Sequence, residues 1–359
     1  MREPPPTTVA DPDVVARVLA RLPAATATRP SPGAPLRVEP LAGGYHNTVV
    51  RVRDGEAVDW VVKQYVVGST NPLYPQLHDH EALALEVFAA RRVAPALVGY
   101  LPDAEVGPVV VYEFVEGAMW DGDAVAAADV LARAHDTVVP VSAPFRRLAA
   151  TSDDVLAEAA RMLVGSSPHH AAAIRRCARS VPAWVSGERA LVHTDCGPGN
   201  MVTSQDGVRL IDWQCPGLGD PVEDLVVITS PAMQILYGRP PLDDRARSTF
   251  LAAYAEHTVS GRAAAARLER CAPAHHVRIA AYCAYRIVEL AVSAPDVAAR
   301  YGRALSAELA WLAELLDLAP TTLTSDLADL ADLADLADPA GLADLAGPDG
   351  SAPAAQEPA

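Results

Sequence analysis

Two short runs of sequence decide the fold of this chain: HTDCGPGN at residues 193–200 and LIDW at residues 210–213. Together they place an Asp at position 195, an Asn five residues later at position 200 and a second Asp at position 212. The run GVRLI at residues 207–211 predicts a strand that delivers the second Asp. One of these residues alone would be read as a turn Asp or a capping Asn. Three apt side chains at this spacing indicate one common site.

Transfer of a phosphoryl group from ATP needs such a set of side chains. One carboxylate orients and deprotonates the attacking hydroxyl, while an amide oxygen and a second carboxylate hold Mg²⁺ on the phosphates. The catalytic loop of protein kinases has the spacing H-R-D-x-x-x-x-N and is followed by a metal-binding Asp. The sequence therefore predicts Asp195 as the catalytic base and Asn200 and Asp212 as the metal ligands.

The same motifs carry a family resemblance. The strings Ile-Asp-Trp at residues 211–213 and Gly-Asp-Pro at residues 219–221 are not the protein-kinase version. With the His-x-Asp-x-x-x-x-Asn pattern, they resemble the aminoglycoside phosphotransferase and choline kinase family of small-molecule kinases. The resemblance extends over roughly residues 36–318. It implies an α+β, two-lobed protein-kinase-like fold, with an N-terminal antiparallel sheet carrying one helix and a larger, mainly helical C-terminal lobe.

The activity that this resemblance implies is transfer of the γ-phosphate of Mg-ATP to a hydroxyl of a small molecule, with ATP and Mg²⁺ as cofactors. The acceptor would be aminoglycoside-like, an amino alcohol, a sugar or a hydroxy amino acid. Asp195 would take the proton, His193 would brace the loop by hydrogen bonding, and Asp220 would tie the loop backbone in place. The chain departs from the family at Gly197, where many relatives carry His or another polar residue, and at Thr194, where Gly is common.

Lys63 is the only lysine among the 29 Lys and Arg residues of the chain. It lies in the β-rich run DWVVKQY at residues 59–65. A compact ammonium is not interchangeable with a planar guanidinium where a phosphate is met as a point charge. A kinase lysine on such a strand contacts the nucleotide phosphates and pairs with a Glu of the following helix. The apolar spacing of residues 77–91 predicts that helix, with Glu81 as the expected partner and Glu86, which points elsewhere, as the alternative.

The glycine pair Gly43 and Gly44 predicts a hairpin turn between two strands. This pair precedes Lys63 by about the length of one hairpin. The resembling family folds such a hairpin over the ATP phosphates, so the resemblance implies that both glycines bind the nucleotide. Asn47 and Thr48 are further candidate phosphate contacts.

A second nucleotide contact is expected in GPVVVYEFVEG at residues 107–117. This apolar run breaks into acidic residues and a Gly, and it resembles the hinge between the two lobes of the family. The adenine edge would bond to the backbone of Glu113 and Val115, and Tyr112 would close the back of the pocket. The alternative interpretation is a plain buried strand.

The acceptor side is less specific in sequence. In the resembling family, C-terminal helices and loops bind the acceptor. Tyr282, Tyr285, Arg286 and Glu289 have helical spacing and could share one face. An aromatic helix face belongs more often to a core than to a pocket, so both readings stay open. Acidic groups suit an aminoglycoside or amino alcohol, whereas Arg286 suits a carboxylate-bearing acceptor.

Two other protein classes are alternatives. A nucleotide-binding pseudokinase acting as a regulatory module fits the fold, but it is hard to reconcile with Lys63, Asp195, Asn200 and Asp212 all being present. A protein kinase is disfavoured because residues 211–213 read Ile-Asp-Trp and no Ala-Pro-Glu segment follows Asp212.

Composition bounds the remaining classes. The formal net charge is -16, which disfavours nucleic acid as a partner. No run approaches the ~20 apolar residues of a membrane helix, so no membrane association is expected. The N-terminal segment lacks the apolar core of a signal peptide, and the 5 cysteines form no Cys-x-x-Cys pair. A reducing cytoplasm is therefore the expected location.

Four segments are expected along the chain. Residues 1–35 form a Pro-rich leader with one short helix, residues 36–117 the nucleotide-binding lobe, and residues 118–320 the catalytic and substrate lobe. Residues 321–359 form an acidic tail of Asp-Leu-Ala repeats. Leucines at every third position drift around an α-helix, so the tail is expected to be a marginal helix fading into disorder.

Overall fold

The computed structural model describes residues 8–23, 30, 35–41, 47–55, 58–66, 68, 71–186, 188–257 and 259–318. The predicted nucleotide contacts Gly43 and Gly44 and the tail at residues 321–359 lie outside these residues.

The N-terminal part of the chain is a five-stranded antiparallel sheet. Its strands are β1 (Arg37–Pro40), β2 (Thr48–Arg53), β3 (Asp59–Gln64), β4 (Leu97–Leu101) and β5 (Val109–Glu113), in the order β1-β2-β3-β5-β4. Alternating side chains of β2 and β3, such as Val50, Val52 and Val62, pack against helix α1 (Pro12–Ala20). This helix falls within the leader, where the sequence predicts one over residues 14–22; it begins earlier because Asp11 caps it and Pro12 suits its first turn.

Helix α2 (His78–Ala89) is inserted between β3 and β4 and covers the other face of the sheet. Its apolar side chains Leu85 and Phe88 are buried, and the Phe88 ring lies 4.4 Å from that of Trp213. This contact joins the helix of the N-terminal part to the motif that carries Asp212. The positions of both elements relative to the site are thereby fixed.

The rest of the described chain is mainly helical. Its helices are α3 (Ala124–His135), α4 (Ser152–Met162), α5 (Pro168–Ala178), α6 (Val222–Thr229), α7 (Pro231–Leu236), α8 (Asp244–His257), α9 (Val259–Leu290) and α10 (Pro295–Leu315). The short strands are β6 (Ala118–Met119), β7 (Arg146–Arg147), β8 (Ala190–Val192), β9 (Met201–Ser204), β10 (Gly207–Leu210) and β11 (Gly217–Gly219). The predicted α+β architecture, a sheet with one inserted helix followed by a helical lobe, is confirmed.

Two small sheets position the central motif within the helical lobe. The buried strand β8 pairs with β11 and ends at Val192, directly before the loop that starts at His193. Strands β9 and β10 form a hairpin that leads from Asn200 back to Asp212. The two ends of the motif, at His193 and at Asp212, therefore lie close together.

Among the described helices, none is long and apolar enough to cross a bilayer.

Candidate active site

The site begins with a buried lysine held between two carboxylates. Lys63 lies on β3 and is 3% exposed; its Nζ is 3.0 Å from Oε2 of Glu81, a fully buried residue of α2. The same Nζ also contacts Oδ1 of Asp212 from the helical lobe. The Tyr65 hydroxyl donates to Glu81 as well. The alternative partner Glu86 is exposed, so the ion pair involves Glu81.

The charge of Lys63 is secured by these partners. Burial by itself would lower the pKa of the Lys63 ammonium, because a charge is less stable out of water. The carboxylates of Asp212 and Glu81 outweigh burial and hold the pKa of Lys63 above its ordinary value. Lys63 is thus a fixed positive charge facing the second half of the motif.

The loop after β8 is anchored by a carboxylate that the sequence analysis did not single out. Asp224 on α6 is fully buried and accepts hydrogen bonds from the backbone N–H groups of His193, at 2.8 Å, and Thr194, at 2.7 Å. His135 of α3 lies 3.0 Å from the same carboxylate. The sequence offers only one hint of this role, which is an acidic residue within the otherwise apolar run DLVVI.

Asp220 has different hydrogen-bond partners from those that the sequence predicts. Its carboxylate accepts hydrogen bonds from Ser186 Oγ at 2.6 Å, from Arg267 Nη2 at 2.9 Å and from the backbone N–H of Val222 at 3.1 Å. These contacts fix the start of α6, and the loop backbone donates to Asp224 instead. The anchoring role predicted for Asp220 is therefore corrected to Asp224, which lies one helical turn further on.

His193 braces the loop from within. Its Nδ1 accepts the backbone N–H of Asp195 at 3.2 Å, so the proton of the ring is on Nε2, which donates to Ile211 O at 2.9 Å. Burial lowers the pKa of His193 and keeps the ring neutral. His193 consequently links the loop to the strand end that carries Asp212.

Asp195 is partly buried, and its carboxylate accepts a hydrogen bond from a tyrosine of the helical lobe. The hydroxyl of Tyr237, which follows α7, donates to Asp195 Oδ1 at 2.7 Å. Burial raises the pKa of Asp195 to about 7 against the opposing effect of the Tyr237 hydrogen bond, and the negative charge of Asp212 raises it further. A carboxylate with a pKa near neutrality is suited to proton transfer at physiological pH.

Asn200 lies where its amide oxygen can serve as a metal ligand. Its Nδ2 donates to Asp195 O at 2.7 Å and to the Tyr237 hydroxyl at 3.1 Å. Because a carbonyl can only accept, the first bond fixes which amide atom is the nitrogen. No described residue donates to the remaining Oδ1. Together with the carboxylate of Asp212, this oxygen fits the oxygen-ligand chemistry of Mg²⁺.

No group of three or more His, Cys, Asp and Glu side chains among the described residues could hold a metal ion unaided. An Asn and an Asp would therefore need further oxygen ligands, which nucleotide phosphates would supply.

The ring of Tyr237 explains the departure of the sequence at Gly197. A Cβ atom added at Gly197 or at Gly199 would overlap the Tyr237 ring. The backbone φ of Gly197 is -66°, which any residue can adopt, so this glycine is required for space and not for conformation. Sequence reasoning missed Tyr237 because it lies 42 residues beyond Asp195 and belongs to no motif.

The second departure, Thr194, has the backbone conformation that favours glycine, with φ of +69°. Hydrogen bonds hold the threonine in this conformation. Its N–H donates to Asp224, and its Oγ1 donates to Cys215 O at 2.9 Å.

The segment predicted as a hinge follows β5 directly. The N–H of Glu113 donates to Ala96 O at 2.9 Å within the sheet, and the N–H of Phe114 donates to Asp59 O at 2.9 Å. No described residue accepts the N–H of Val115. Tyr112 is buried on the strand beside Lys63 and Glu81.

The other candidate phosphate contacts are placed differently. Asn47 uses its amide within the protein, donating to Gln214 Oε1 at 3.2 Å and accepting the N–H of Val66 at 3.3 Å. Thr48 begins β2 and pairs with Gln64 across the sheet.

The proposed acceptor residues are mostly engaged with their neighbours. Tyr282 is 3% exposed, packs edge-on against Tyr74 at 5.2 Å and accepts a hydrogen bond from Asn71 at 2.8 Å. Arg286 pairs with Glu289. Tyr285 differs, because it lines a cavity of about 450 Å³ that also reaches Thr194 of the loop.

Comparison with solved structures identifies the class of fold. The chain is similar to a choline/ethanolamine kinase family protein from Mesorhizobium loti, with 18% identity and a TM-score of 0.53 over 84% of this chain and 98% of that one. It is similar to choline kinase from Cryptosporidium parvum Iowa II, with 13% identity and a TM-score of 0.60 over 86% and 97%. Spectinomycin phosphotransferase, in complex with ADP and spectinomycin, gives 12% identity and a TM-score of 0.56 over 78% and 93%.

At these identities the similarity shows the fold, which is that of kinase-like phosphotransferases. The sequence itself matches the model of the phosphotransferase enzyme family over residues 37–268. The chain therefore belongs to the phosphotransferase enzyme family. No curated protein matches it by sequence.

Proposed function

We propose that this protein transfers the γ-phosphate of Mg-ATP to a hydroxyl group of a small molecule. The observation that carries the proposal is the meeting of two separately encoded halves. Lys63, held by Glu81 on the sheet side, contacts Asp212, and Asp212 ends the hairpin that starts at Asn200 next to the Asp195 loop. A catalytically silent nucleotide-binding module would not need the base, the amide, the acid and the lysine together.

Asp195 is the proposed catalytic base. Its raised pKa, to about 7, leaves it a sufficient proton acceptor while the acceptor hydroxyl attacks phosphorus. In this transfer the acceptor oxygen forms a bond to the γ-phosphorus, the bond from that phosphorus to ADP breaks, and the hydroxyl proton moves to Asp195. The protein contributes mainly positioning and charge neutralisation.

The nucleotide is proposed to lie between the sheet and the loop. Lys63 would meet the phosphates as a point charge, and the glycine pair Gly43 and Gly44 would cover them. Because the N–H of Glu113 is used in the sheet, its carbonyl and the N–H of Val115 are the backbone groups left for the adenine edge. We place the boundary between the two lobes at residues 117 and 118 as part of the same proposal.

Asn200 and Asp212 would hold Mg²⁺. When bound, this ion neutralises charge on the phosphates. The 5 cysteines of the chain are all buried and unpaired, which suits a reducing compartment such as the cytoplasm.

The acceptor class is tested by product formation. Purified protein is incubated with Mg-ATP and a pooled panel of aminoglycosides, amino alcohols, sugars and hydroxy amino acids, and product masses are read out. A phosphorylated product that disappears in the Asp195→Asn variant is expected. Tight Mg-ATP binding without any product from this panel would favour the regulatory pseudokinase alternative.

A further inference from the structure

The hydroxyl of Tyr237 makes the hydrogen bond that a substrate would need. It donates to Asp195 Oδ1 at 2.7 Å and accepts from Asn200 Nδ2 at 3.1 Å. An alcohol that is about to be phosphorylated must donate to the same carboxylate, since the base removes its proton. The Tyr237 hydroxyl thus occupies one oxygen of the carboxylate to which the acceptor hydroxyl would donate.

The ring of Tyr237 lies across the backbone of the loop. One edge, formed by Cδ2, Cε2 and Cζ, occupies the space beside Gly197, while Cδ1 and Cε1 occupy the space beside Gly199. Both glycines are needed for this close approach, because any Cβ would overlap the ring. The Tyr237 ring and the glycine pair therefore form one packed unit that covers the loop next to Asp195.

The chain around Tyr237 is fixed on both sides. Helix α7 is held at its start by the buried carboxylate of Glu308, which accepts from Ser230 Oγ at 2.8 Å and from the N–H of Ala232 at 3.0 Å. After Tyr237, Gly238 turns the chain with φ of +75°, and the Arg239 guanidinium donates to Trp120 O at 3.2 Å. These contacts hold the backbone, while the side chain of Tyr237 itself is only partly buried.

We propose that Tyr237 determines the choice between acceptor and water in the phosphoryl transfer described above, and the inference rests on that proposed function. While no acceptor is bound, the Tyr237 hydroxyl occupies Asp195 and its ring excludes water from the loop. An acceptor displaces the hydroxyl because its other contacts offset the lost hydrogen bond and packing. Water has no such contacts and does not displace it.

The side reaction that Tyr237 suppresses is hydrolysis of ATP. In hydrolysis a water oxygen forms a bond to the γ-phosphorus, the bond to ADP breaks, and the proton of water moves to Asp195. The products are ADP and inorganic phosphate. Since water is present at far higher concentration than any acceptor, the site needs a device that disfavours this reaction.

The test measures phosphate release from Mg-ATP without any acceptor. Tyr237→Phe removes only the hydroxyl, and we expect release to rise about 10-fold or more, because water can then engage the base. Tyr237→Ala also removes the ring, and the rise should be at least as large. Adding Asp195→Asn to Tyr237→Phe should abolish the gain. Tyr100→Phe, which removes the hydroxyl contact between β4 and His78 of α2, is the matched control and should not change release.

A second variant displaces the Tyr237 side chain from Asp195 without altering the tyrosine itself. Gly197→Ala forces the Tyr237 ring away from the loop, so phosphate release should rise in this variant as well. In the Tyr237→Ala background the added methyl has nothing to displace, and Gly197→Ala should have no further effect. This dependence of one substitution on the other is not expected of a glycine with a purely structural role.

Three outcomes would overturn the inference. Unchanged phosphate release in Tyr237 variants that bind Mg-ATP by calorimetry and melt cooperatively would leave the proposed function intact and remove the role of Tyr237. An added phosphate on Tyr237, detected by intact mass and peptide mapping, would show that Tyr237 is itself a phosphate acceptor and does not serve to exclude water. Failure of the wild-type protein to bind Mg-ATP would overturn both proposals.

Discussion

Single residues of the site are held in conformations that they would rarely adopt alone. Thr194 has φ of +69° and Asp212 has φ of +62°, in the left-handed region that β-branched residues in particular avoid. Such positions cost about 1–3 kcal/mol each and persist where the surroundings over-determine them. For Thr194 the surroundings are Asp224 and Cys215 O, and for Asp212 they include Lys63. The motif thus depends on residues outside it.

The first prediction concerns the base. Asp195→Asn keeps the shape of the side chain but cannot take a proton, so transfer to the acceptor should fall by about 10²-fold or more. Mg-ATP binding, measured by calorimetry, should persist, because the proposed phosphate and metal contacts are untouched. Asp206→Asn, an exposed substitution in the turn between β9 and β10, is the control. Unchanged turnover in Asp195→Asn would refute the role of this residue.

The second prediction concerns the anchor of the loop. Asp224→Asn replaces one carboxylate oxygen by an N–H₂ group, which faces the backbone N–H of His193 or Thr194 and leaves a buried donor without a partner. We expect the free energy of unfolding to fall by about 2–3 kcal/mol. Turnover should fall as well, since the loop carries Asp195. Urea denaturation and ATP turnover measure the two effects.

A matched variant separates the anchoring of the loop from the loss of any buried carboxylate near the start of α6. Asp220→Asn leaves the backbone bonds of the loop intact and disturbs the contacts with Ser186 and Arg267. It should cost stability with a smaller effect on turnover. Equal losses of turnover in both variants would show that Asp224 has no special position.

Among the elements, α2 links the sheet to the catalytic motif. It presents Glu81 to Lys63 and, two turns later, packs the fully buried Phe88 ring against Trp213, the residue after Asp212. A helix turns about 100° per residue, so residues seven apart share one face. The ion pair and the aromatic contact therefore hold the same face of α2 against the site.

The third prediction tests this link. Phe88→Ala should lower the free energy of unfolding by about 3–5 kcal/mol through the lost burial and the cavity it leaves. Mg-ATP affinity should also fall, because α2 no longer holds Glu81 and Trp213 in register. Phe88→Leu retains most of the apolar volume and should recover most of both losses. Mg-ATP affinity of folded Phe88→Ala equal to that of wild type would contradict the linking role.

Local sequence predicted those elements whose signals are local. The sequence predicts a helix over residues 124–135, and α3 has these bounds because Asp123 caps it and its apolar residues repeat at helical spacing. Helix α9 is different: the sequence predicts residues 281–292, whereas the helix runs from residue 259 to residue 290 and includes Pro273. A proline removes one hydrogen bond and usually ends a helix, but packing of α9 against α4, α6 and α10 outweighs that tendency.

The site likewise combines residues that local sequence predicts with residues that only long-range packing reveals. The spacing of Asp195, Asn200 and Asp212 is local, and the ladder of β9 and β10 brings its ends together. Tyr237 and Asp224 reach the loop from 42 and about 30 residues away, so only the packing of α6 and α7 reveals them. No period or motif in a single sequence encodes such contacts.

In the whole molecule, the two lobes meet through polar as well as apolar contacts. Lys63 and Asp212 join the sheet to the helical lobe, and Asn71 on the sheet side donates to Tyr282 on α9. The helical lobe also buries ionisable groups around the cavity that Tyr285 lines. Arg278 of α9 pairs with Glu223 and Glu158, and His275, one turn earlier, is 1% exposed beside Glu223.

The last prediction follows from this buried histidine. Burial lowers the pKa of His275 to about 4, outweighing the attraction of Glu223, whereas its value in the unfolded chain is about 6.5. Below pH 6.5 the unfolded chain therefore binds a proton that the folded protein does not, and stability falls as the pH drops towards 4. Between pH 7.5 and pH 5.0 this residue should account for a loss of about 2 kcal/mol.

The measurement compares urea denaturation of the wild-type protein with that of His275→Gln at both pH values. Glutamine does not titrate, so this variant should lose less stability between the two pH values, whatever its stability at pH 7.5. If His275→Gln and the wild type lose the same free energy, acid sensitivity has another source. The neutral His275 would then be a consequence of burial without influence on the pH range in which the fold persists.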